Sequence, residues 1–164
     1  MELNSIIKKG KITIFSGDVF EVDISNNSKG YIQFLYKDDT FLAGHLIRGF
    51  SDPNIENSVA NENVLFYGYT RIFEGIKEGY WNKIRNVEIE PYFEPPTFKI
   101  TIDTKAYVSK SNNWYIWKGD FDKAFKIGEM KEEYKNLPFS AIVSPETIVE
   151  WLKNRKADFP YLPD

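Results

Sequence analysis

Strict alternation of apolar and polar residues is the feature that most constrains what this chain can fold into. Phe20, Val22 and Ile24 are apolar, and Glu21 and Asp23 separate them. Successive side chains of an extended strand point to opposite sides, so a spacing of two places the three apolar side chains on one face. This stretch is therefore predicted to form a strand with one face buried and the other in solvent.

The same kind of pattern returns along the chain and is interrupted by residues that favour turns. Residues 25–30 and 37–40 are rich in Asn, Asp, Gly, Ser and Thr, which suit tight turns. Residues 11–50 are accordingly predicted to form a meander of three or four antiparallel strands. Residues 51–63 are predicted to form a long polar loop or a loop that contains a short helical turn, and residues 75–81 a short helix or a turn. Further strands are predicted at residues 64–73, 87–93, 97–108, 114–117, 126–130 and 139–143.

The clearest helix signal lies near the C-terminus. Ser144 is a good N-cap, and Pro145 follows it at the first helical position, where proline is well tolerated. Ile148, Trp151 and Leu152 are spaced by three and four residues and so share one face of the helix. We expect this face, including Trp151, to be buried against the sheet.

Large aromatic side chains are abundant and are expected to fill the core. The chain contains 13 Phe, 10 Tyr and 4 Trp, and rings of this size bury much apolar area per residue. Trp114 and Trp117 are predicted to be mainly structural. Because three positions separate them on a strand, one should point inward and the other toward a second layer or a surface groove.

These patterns predict the fold class. The chain is expected to be an α+β protein, β-rich, with a twisted antiparallel sheet or an open SH3-like barrel and a C-terminal α-helix packed on it. Its 164 residues suit one domain, so residues 1–164 are predicted to form a single domain.

Charge and residue usage favour some partners over others. The net charge is −3, whereas nucleic-acid binding usually relies on a basic face, so a nucleic-acid partner is not expected. The chain has no cysteine, which excludes disulfides and thiolate metal sites. Residues 1–9 lack the pattern of a signal peptide, and no apolar run reaches 18 residues. We therefore expect a cytoplasmic protein without a membrane partner.

No catalytic or cofactor motif is evident. His45 is the only histidine and lies in a predicted strand, where a histidine is usually structural. Asp120 and Asp122 begin like an EF-hand loop, but Ala124 and Phe125 replace the third ligand and the required glycine. The sequence therefore predicts no enzyme activity, no metal and no cofactor.

Glu88 and Glu90 share one face of the predicted strand 87–93. Two carboxylates can perform acid–base chemistry in glycosidases, but such pairs normally lie on different strands, and a solvated acidic edge is the common alternative. Two other classes remain open. A deep pocket with perturbed carboxylates would favour an enzyme, and a basic concave face with exposed aromatics would favour a ligand-binding or nucleic-acid-binding module.

Several segments together resemble the immunity protein 26 family of bacterial polymorphic toxin systems. Their order and spacing extend over most of the chain, from about Gly10 to Pro160. The matching segments are residues 17–22 (Gly-Asp-Val-Phe-Glu-Val), 30–34 (Gly-Tyr-Ile-Gln-Phe), 66–67 (Phe-Tyr), 75–81 (Gly-Ile-Lys-Glu-Gly-Tyr-Trp), 114–117 (Trp-Tyr-Ile-Trp), 127–130 (Ile-Gly-Glu-Met), 144–149 (Ser-Pro-Glu-Thr-Ile-Val) and 159–160 (Phe-Pro).

This resemblance implies an antidote that binds a cognate protein toxin in the cytoplasm and blocks it. It carries no catalytic residues to this chain. Tight antidotes combine buried aromatic anchors with charge complementarity. Glu88, Glu90, Asp120 and Asp122 are the candidate partner-binding residues, although exposed carboxylates are more often simply solvated.

Overall fold

The computed structural model describes residues 5–25, 27–55, 63–104 and 107–159. It confirms an α+β fold with antiparallel sheets and a C-terminal helix, and the sheets are open rather than closed into a barrel. Within these residues the α-helices are α1 (Ile72–Lys77) and α2 (Pro145–Asn154). The strands are β1 (Ile6–Lys9), β2 (Ile12–Phe15), β3 (Asp18–Ser25), β4 (Ser28–Asp38), β5 (Gly44–Phe50), β6 (Phe66–Thr70), β7 (Trp81–Asn86), β8 (Thr97–Thr101), β9 (Trp114–Lys118) and β10 (Phe125–Gly128).

The central sheet has five antiparallel strands in the order β6-β5-β4-β3-β7. The predicted meander is present as β3-β4-β5, whereas β2 pairs with β1 in a separate hairpin. Phe20 of β3 lies opposite Ile32 of β4, and Val19 lies opposite Gln33. Because side chains alternate along each strand, Phe20 and Ile32 face one side of the sheet and Val19 and Gln33 face the other.

Both helices cover the face that carries Phe20. Ile148, Trp151 and Leu152 of α2 are buried there, as predicted. The sheet provides room for them with glycines: a Cβ atom on Gly68 would lie 2.7 Å from the indole of Trp151 and one on Gly30 would lie 3.0 Å from Leu152. We call this side the helical face. The side chains of Ile7 and Ile14, from the β1-β2 hairpin, complete its core.

The opposite face of the central sheet, called the second face, packs against the three-stranded sheet β10-β9-β8. Trp117 of β9 stacks on Phe98 of β8 and on Tyr69 of β6, with ring centroids 5.3 and 6.1 Å apart. Trp114 lies in a different cluster, with Val108 and Phe139. Both tryptophans are 2% exposed, which confirms that they are structural and that they occupy different layers.

Residues 138–143 connect the two sheets. Lys99 of β8 donates its N–H to the C=O of Pro138 at 2.9 Å, and Ser140 donates its N–H to the C=O of Lys99 at 3.0 Å. Val143 donates its N–H to the C=O of Tyr69 in β6 at 2.9 Å. The predicted strand 139–143 is thus present only as two single parallel bridges, one to each sheet.

Other element predictions require correction. Residues 87–93 were predicted to form a strand, but this stretch is irregular and β7 ends at Asn86. The predicted strand 64–73 is shortened to β6, because α1 begins at Ile72. Residues 56–62 of the predicted loop 51–63 lie outside the described residues. No helix within the described part of the chain is long and apolar enough to span a membrane.

Candidate functional site

The irregular stretch between β7 and β8, called the 87–96 segment, passes over the second face of the central sheet. Its first residue, Val87, is buried and donates its N–H to the C=O of Gly17 at 3.0 Å. The C=O of Val87 accepts a hydrogen bond from the side-chain amide of Gln33 at 2.8 Å. The backbone hydrogen-bonding groups of Val87, where the chain leaves the sheet, are thus satisfied by Gly17 and by the side chain of Gln33 in β4.

A buried ion pair attaches the middle of this segment to the sheet. The guanidinium of Arg48 in β5 donates to both carboxylate oxygens of Glu90, at 2.7 and 2.8 Å. Its Nε donates to Oε1 of Gln33 at 2.8 Å. The side chains of Arg48 and Glu90 are 6% and 15% exposed, and the hydrogen bonds from Arg48 hold the pKa of Glu90 below its ordinary value. We call this pair the Arg48–Glu90 clamp.

The clamp is continuous with a tight turn. The N–H of Phe93 donates to the C=O of Glu90 at 3.0 Å, which closes a four-residue turn with Pro91 in the second position. Proline is favoured there because its fixed φ matches the turn. The Phe93 ring lies 5.5 Å from the Arg48 guanidinium, whereas Tyr92 points outward and is 91% exposed.

A second acidic element follows β9. Asp120 caps a 3-10 turn at Phe121–Lys123 by accepting a hydrogen bond from the N–H of Asp122 at 2.9 Å. Phe121 packs against Trp117 and Phe41, with centroid distances of 5.2 and 5.3 Å. Phe121 therefore attaches the Asp120–Asp122 turn to the core of the second face, while Asp122 is exposed to solvent.

An ion pair connects these two acidic segments. Lys118, the last residue of β9, lies 2.9 Å from the carboxylate of Glu94. Because Thr97 pairs with Lys118 across β8 and β9, the end of the 87–96 segment and the start of the Asp120–Asp122 turn are adjacent. The nearby ammonium holds the pKa of Glu94 below its ordinary value.

The structure places the four candidate residues in different roles. Glu88 and Asp122 are exposed, Asp120 is half-buried and caps a turn, and Glu90 is engaged by Arg48. Neither Arg48 nor Tyr92 was predicted from the sequence as part of a site. Pro91 was the available signal, because proline inside a predicted central strand argues against that strand.

The lone histidine has a structural role. His45 is 7% exposed, and its Nδ1 accepts the N–H of Ile72 at 3.0 Å, at the first residue of α1. Burial, with the nearby charges of Arg71 and Lys37, lowers the pKa of His45 to about 4. The imidazole is therefore neutral near pH 7 and takes the place of an N-cap side chain.

Two buried aspartates also form internal contacts. Asp18 accepts hydrogen bonds from the N–H of Phe15 and from the side chain of Asn86, both at 2.9 Å. Asp38 accepts one from the hydroxyl of Tyr69 at 2.9 Å, and burial raises the pKa of Tyr69, so this phenol remains a neutral donor. These carboxylates stabilise strand ends and turns.

In residues 5–25, 27–55, 63–104 and 107–159 no group of three or more His, Cys, Asp or Glu side chains is arranged to hold a metal ion. Comparison of the chain with protein-family models, with curated proteins and with solved structures found no match.

Proposed function

We propose that this chain is an immunity protein that binds a cognate bacterial toxin in the cytoplasm and blocks it. The observation that carries the proposal is the adjacency of two acidic segments, which the Glu94–Lys118 ion pair connects. One segment carries Glu88, and the other carries Asp122. The first segment is attached to the second face at Val87 and Glu90, and the second is attached there at Phe121. Both segments are therefore held in place before a partner arrives.

The ordered set of sequence segments that resembles the immunity protein 26 family supports the same proposal. Two of its parts have structural explanations. The opening Gly17-Asp18 provides a positive φ of 94° at Gly17 and a buried carboxylate at Asp18. Ser144-Pro145 begins α2, where the Ser144 hydroxyl accepts the N–H of Thr147. The resemblance thus includes residues on which the fold depends.

Binding is the mechanism that the surface supports. Carboxylates on a rigid surface attract a basic partner and speed the first encounter, and buried aromatic contacts then slow dissociation. Blocking would follow from covering the toxin's own binding or catalytic surface. The Arg48–Glu90 clamp and the Asp120 cap contribute by fixing the positions of the exposed groups rather than by contact.

The direct test uses the toxin candidate encoded by the adjacent gene. We expect co-expression with this chain to rescue growth of cells that produce the toxin, and the two proteins to co-purify as a stable complex. Failure to rescue, together with failure to bind the products of neighbouring genes, would exclude the proposed function.

A variant in which two exposed carboxylates are replaced by neutral amides tests the role of the surface charges. Glu88→Gln combined with Asp122→Asn removes two exposed charges, and we expect slower association with the toxin and a weaker dependence of the association rate on salt. The matched control is Glu78→Gln with Glu150→Gln, which removes two exposed carboxylates from the helical face, one just after α1 and one in α2. Equal effects of the two double variants would show that only net charge matters.

A further inference from the structure

Tyr92 is an aromatic side chain presented to solvent by a rigid turn. Its exposure of 91% is the highest among the large apolar side chains of the described residues. Pro91 precedes it, and Pro95 and Pro96 follow shortly after. Prolines restrict the backbone, so little conformational entropy would be lost if this turn were held against a partner. The turn thus has the properties of a preorganised contact.

The Arg48–Glu90 clamp is better explained by positioning than by stability. Moving two charges out of water opposes folding, and buried ion pairs can often be replaced by apolar residues without loss of stability. The clamp fixes Glu90, the first residue of the turn, at 2.7 and 2.8 Å from a guanidinium that is itself bonded to Gln33. The clamp therefore holds the backbone of the turn that carries Tyr92 against the central sheet.

The surroundings of the turn indicate the chemistry of a partner. Glu88 and Glu94 flank Tyr92 in sequence and are exposed, and the side chain of Glu94 is 76% exposed even though it pairs with Lys118. An exposed phenol ring on a segment that also carries exposed carboxylates matches an apolar pocket with a basic rim.

We propose that Tyr92 is the anchoring side chain of this surface and enters an apolar pocket, rimmed by lysine or arginine, on a protein partner. The inference rests on the proposed function for the identity of that partner, the cognate toxin. Beyond the proposed function, the inference specifies Tyr92 as the residue that contributes most of the affinity and specifies the kind of pocket that binds it.

The first experiment measures the affinity of the purified toxin from the adjacent gene for single variants. Tyr92→Ala should raise the Kd at least about 30-fold, the lower limit for a hot-spot side chain. Tyr92→Phe should restore most of the affinity, because the ring is retained. Tyr107→Ala is the matched control, since Tyr107 is 66% exposed and should leave the Kd unchanged. A Tyr92→Ala variant that binds like the wild type overturns the inference.

The second experiment tests the clamp without any partner. Arg48→Met combined with Glu90→Met removes both charges together, so neither is left buried and unpaired. We expect a modest fall in the unfolding midpoint, because the buried Oε1 of Gln33 loses the donor that Arg48 supplies. Hydrogen exchange at the Phe93 amide should accelerate at least about 10-fold as the turn loosens. Unchanged exchange at Phe93 would show that the clamp does not position the turn.

The two failures can be told apart. If the wild-type chain neither binds the toxin nor rescues growth, the proposed function is wrong and Tyr92 loses its named partner. If the wild type binds and rescues while Tyr92→Ala does so equally well, the proposed function stands and the anchoring role of Tyr92 is wrong.

Discussion

His45 connects the central sheet to the start of α1 through a single hydrogen bond. The ring is enclosed by Phe34 and Phe73, each with its centroid 5.9 Å away in an edge-on arrangement. Nδ1 accepts the N–H of Ile72, so the neutral ring carries its proton on Nε2. Protonation would place a second positive charge near Arg71 and remove the acceptor.

This contact predicts an acid-sensitive stability. The pKa of His45 is about 4 in the folded chain and 6.5 in the unfolded one, so unfolded molecules bind the proton more readily. The stabilisation is complete above pH 6.5 and is lost as the pH falls toward 4, with a change in the free energy of unfolding of about 3 kcal/mol. Denaturant titrations at pH 7, 6, 5 and 4 measure it.

The matched variant for this measurement is His45→Asn. The Asn side-chain oxygen can accept the N–H of Ile72 and does not titrate in this range. We expect a lower stability at pH 7, because the ring is lost, and a flatter profile between pH 6.5 and 4. A wild-type profile as flat as that of His45→Asn would contradict the structural role of the neutral ring.

At the scale of elements, the turn between β4 and β5 is strained. Gly44 donates its N–H to the C=O of Phe41 at 2.9 Å, and both residues between them, Leu42 and Ala43, have a φ of 53°. Turns of this kind normally carry Asn-Gly, because other residues are disfavoured at positive φ. Arg71 stabilises the arrangement by donating to the carbonyls of Leu42 and Ala43, both at 3.0 Å.

Replacing Ala43 by glycine should therefore stabilise the chain. Removing the Cβ relieves the left-handed strain, and this gain exceeds the greater freedom of glycine in the unfolded state by about 0.5–1 kcal/mol. Ala141→Gly, at a position without positive φ, is the control and should destabilise. Thermal unfolding of both variants measures the difference, and a lower midpoint for Ala43→Gly than for the wild type would refute the strain.

Helix α2 depends on one large side chain. Trp151 is 2% exposed, contacts the ring of Phe66 at 5.3 Å and donates its Nε1–H to the C=O of Asp158 at 3.0 Å. Trp151→Ala should lower the free energy of unfolding by about 3–5 kcal/mol, as other large core truncations do. Denaturant unfolding measures this loss, and a value below about 1 kcal/mol would show that the helix is peripheral.

At the scale of the whole molecule, local patterns were sufficient for elements whose side chains alternate or repeat. The period of two around Phe20 and Val22 predicted β3, and the capped, amphipathic stretch after Ser144 predicted α2. The same reasoning was wrong for residues 87–93, where Val87 is buried in an apolar cluster on the second face and Glu90 is held by Arg48. The apolar residues of this stretch attach an irregular segment to the central sheet, so their spacing does not indicate a strand with two alternating faces.

The candidate site was less predictable for a related reason. Glu88 and Glu90 were equivalent in the sequence, and only the partner of each, solvent or Arg48, separates a surface charge from a buried one. Arg48 lies 42 residues from Glu90, and no local rule relates the two. The role proposed for Tyr92 likewise depends on the turn that presents it, and that turn depends on the contact between Arg48 and Glu90.

Residues 138–143 have a consequence for how the chain is made. This segment forms one bridge to the outer edge of β6, at Tyr69, and one to the outer edge of β8, at Lys99, and both strands are synthesised well before it. At ordinary translation rates, residues 138–143 are synthesised on the order of seconds after β6 and β8. An uncovered strand edge can recruit a strand from another molecule. Nascent chains on one messenger are therefore most open to mispairing just before Phe139 emerges from the ribosome.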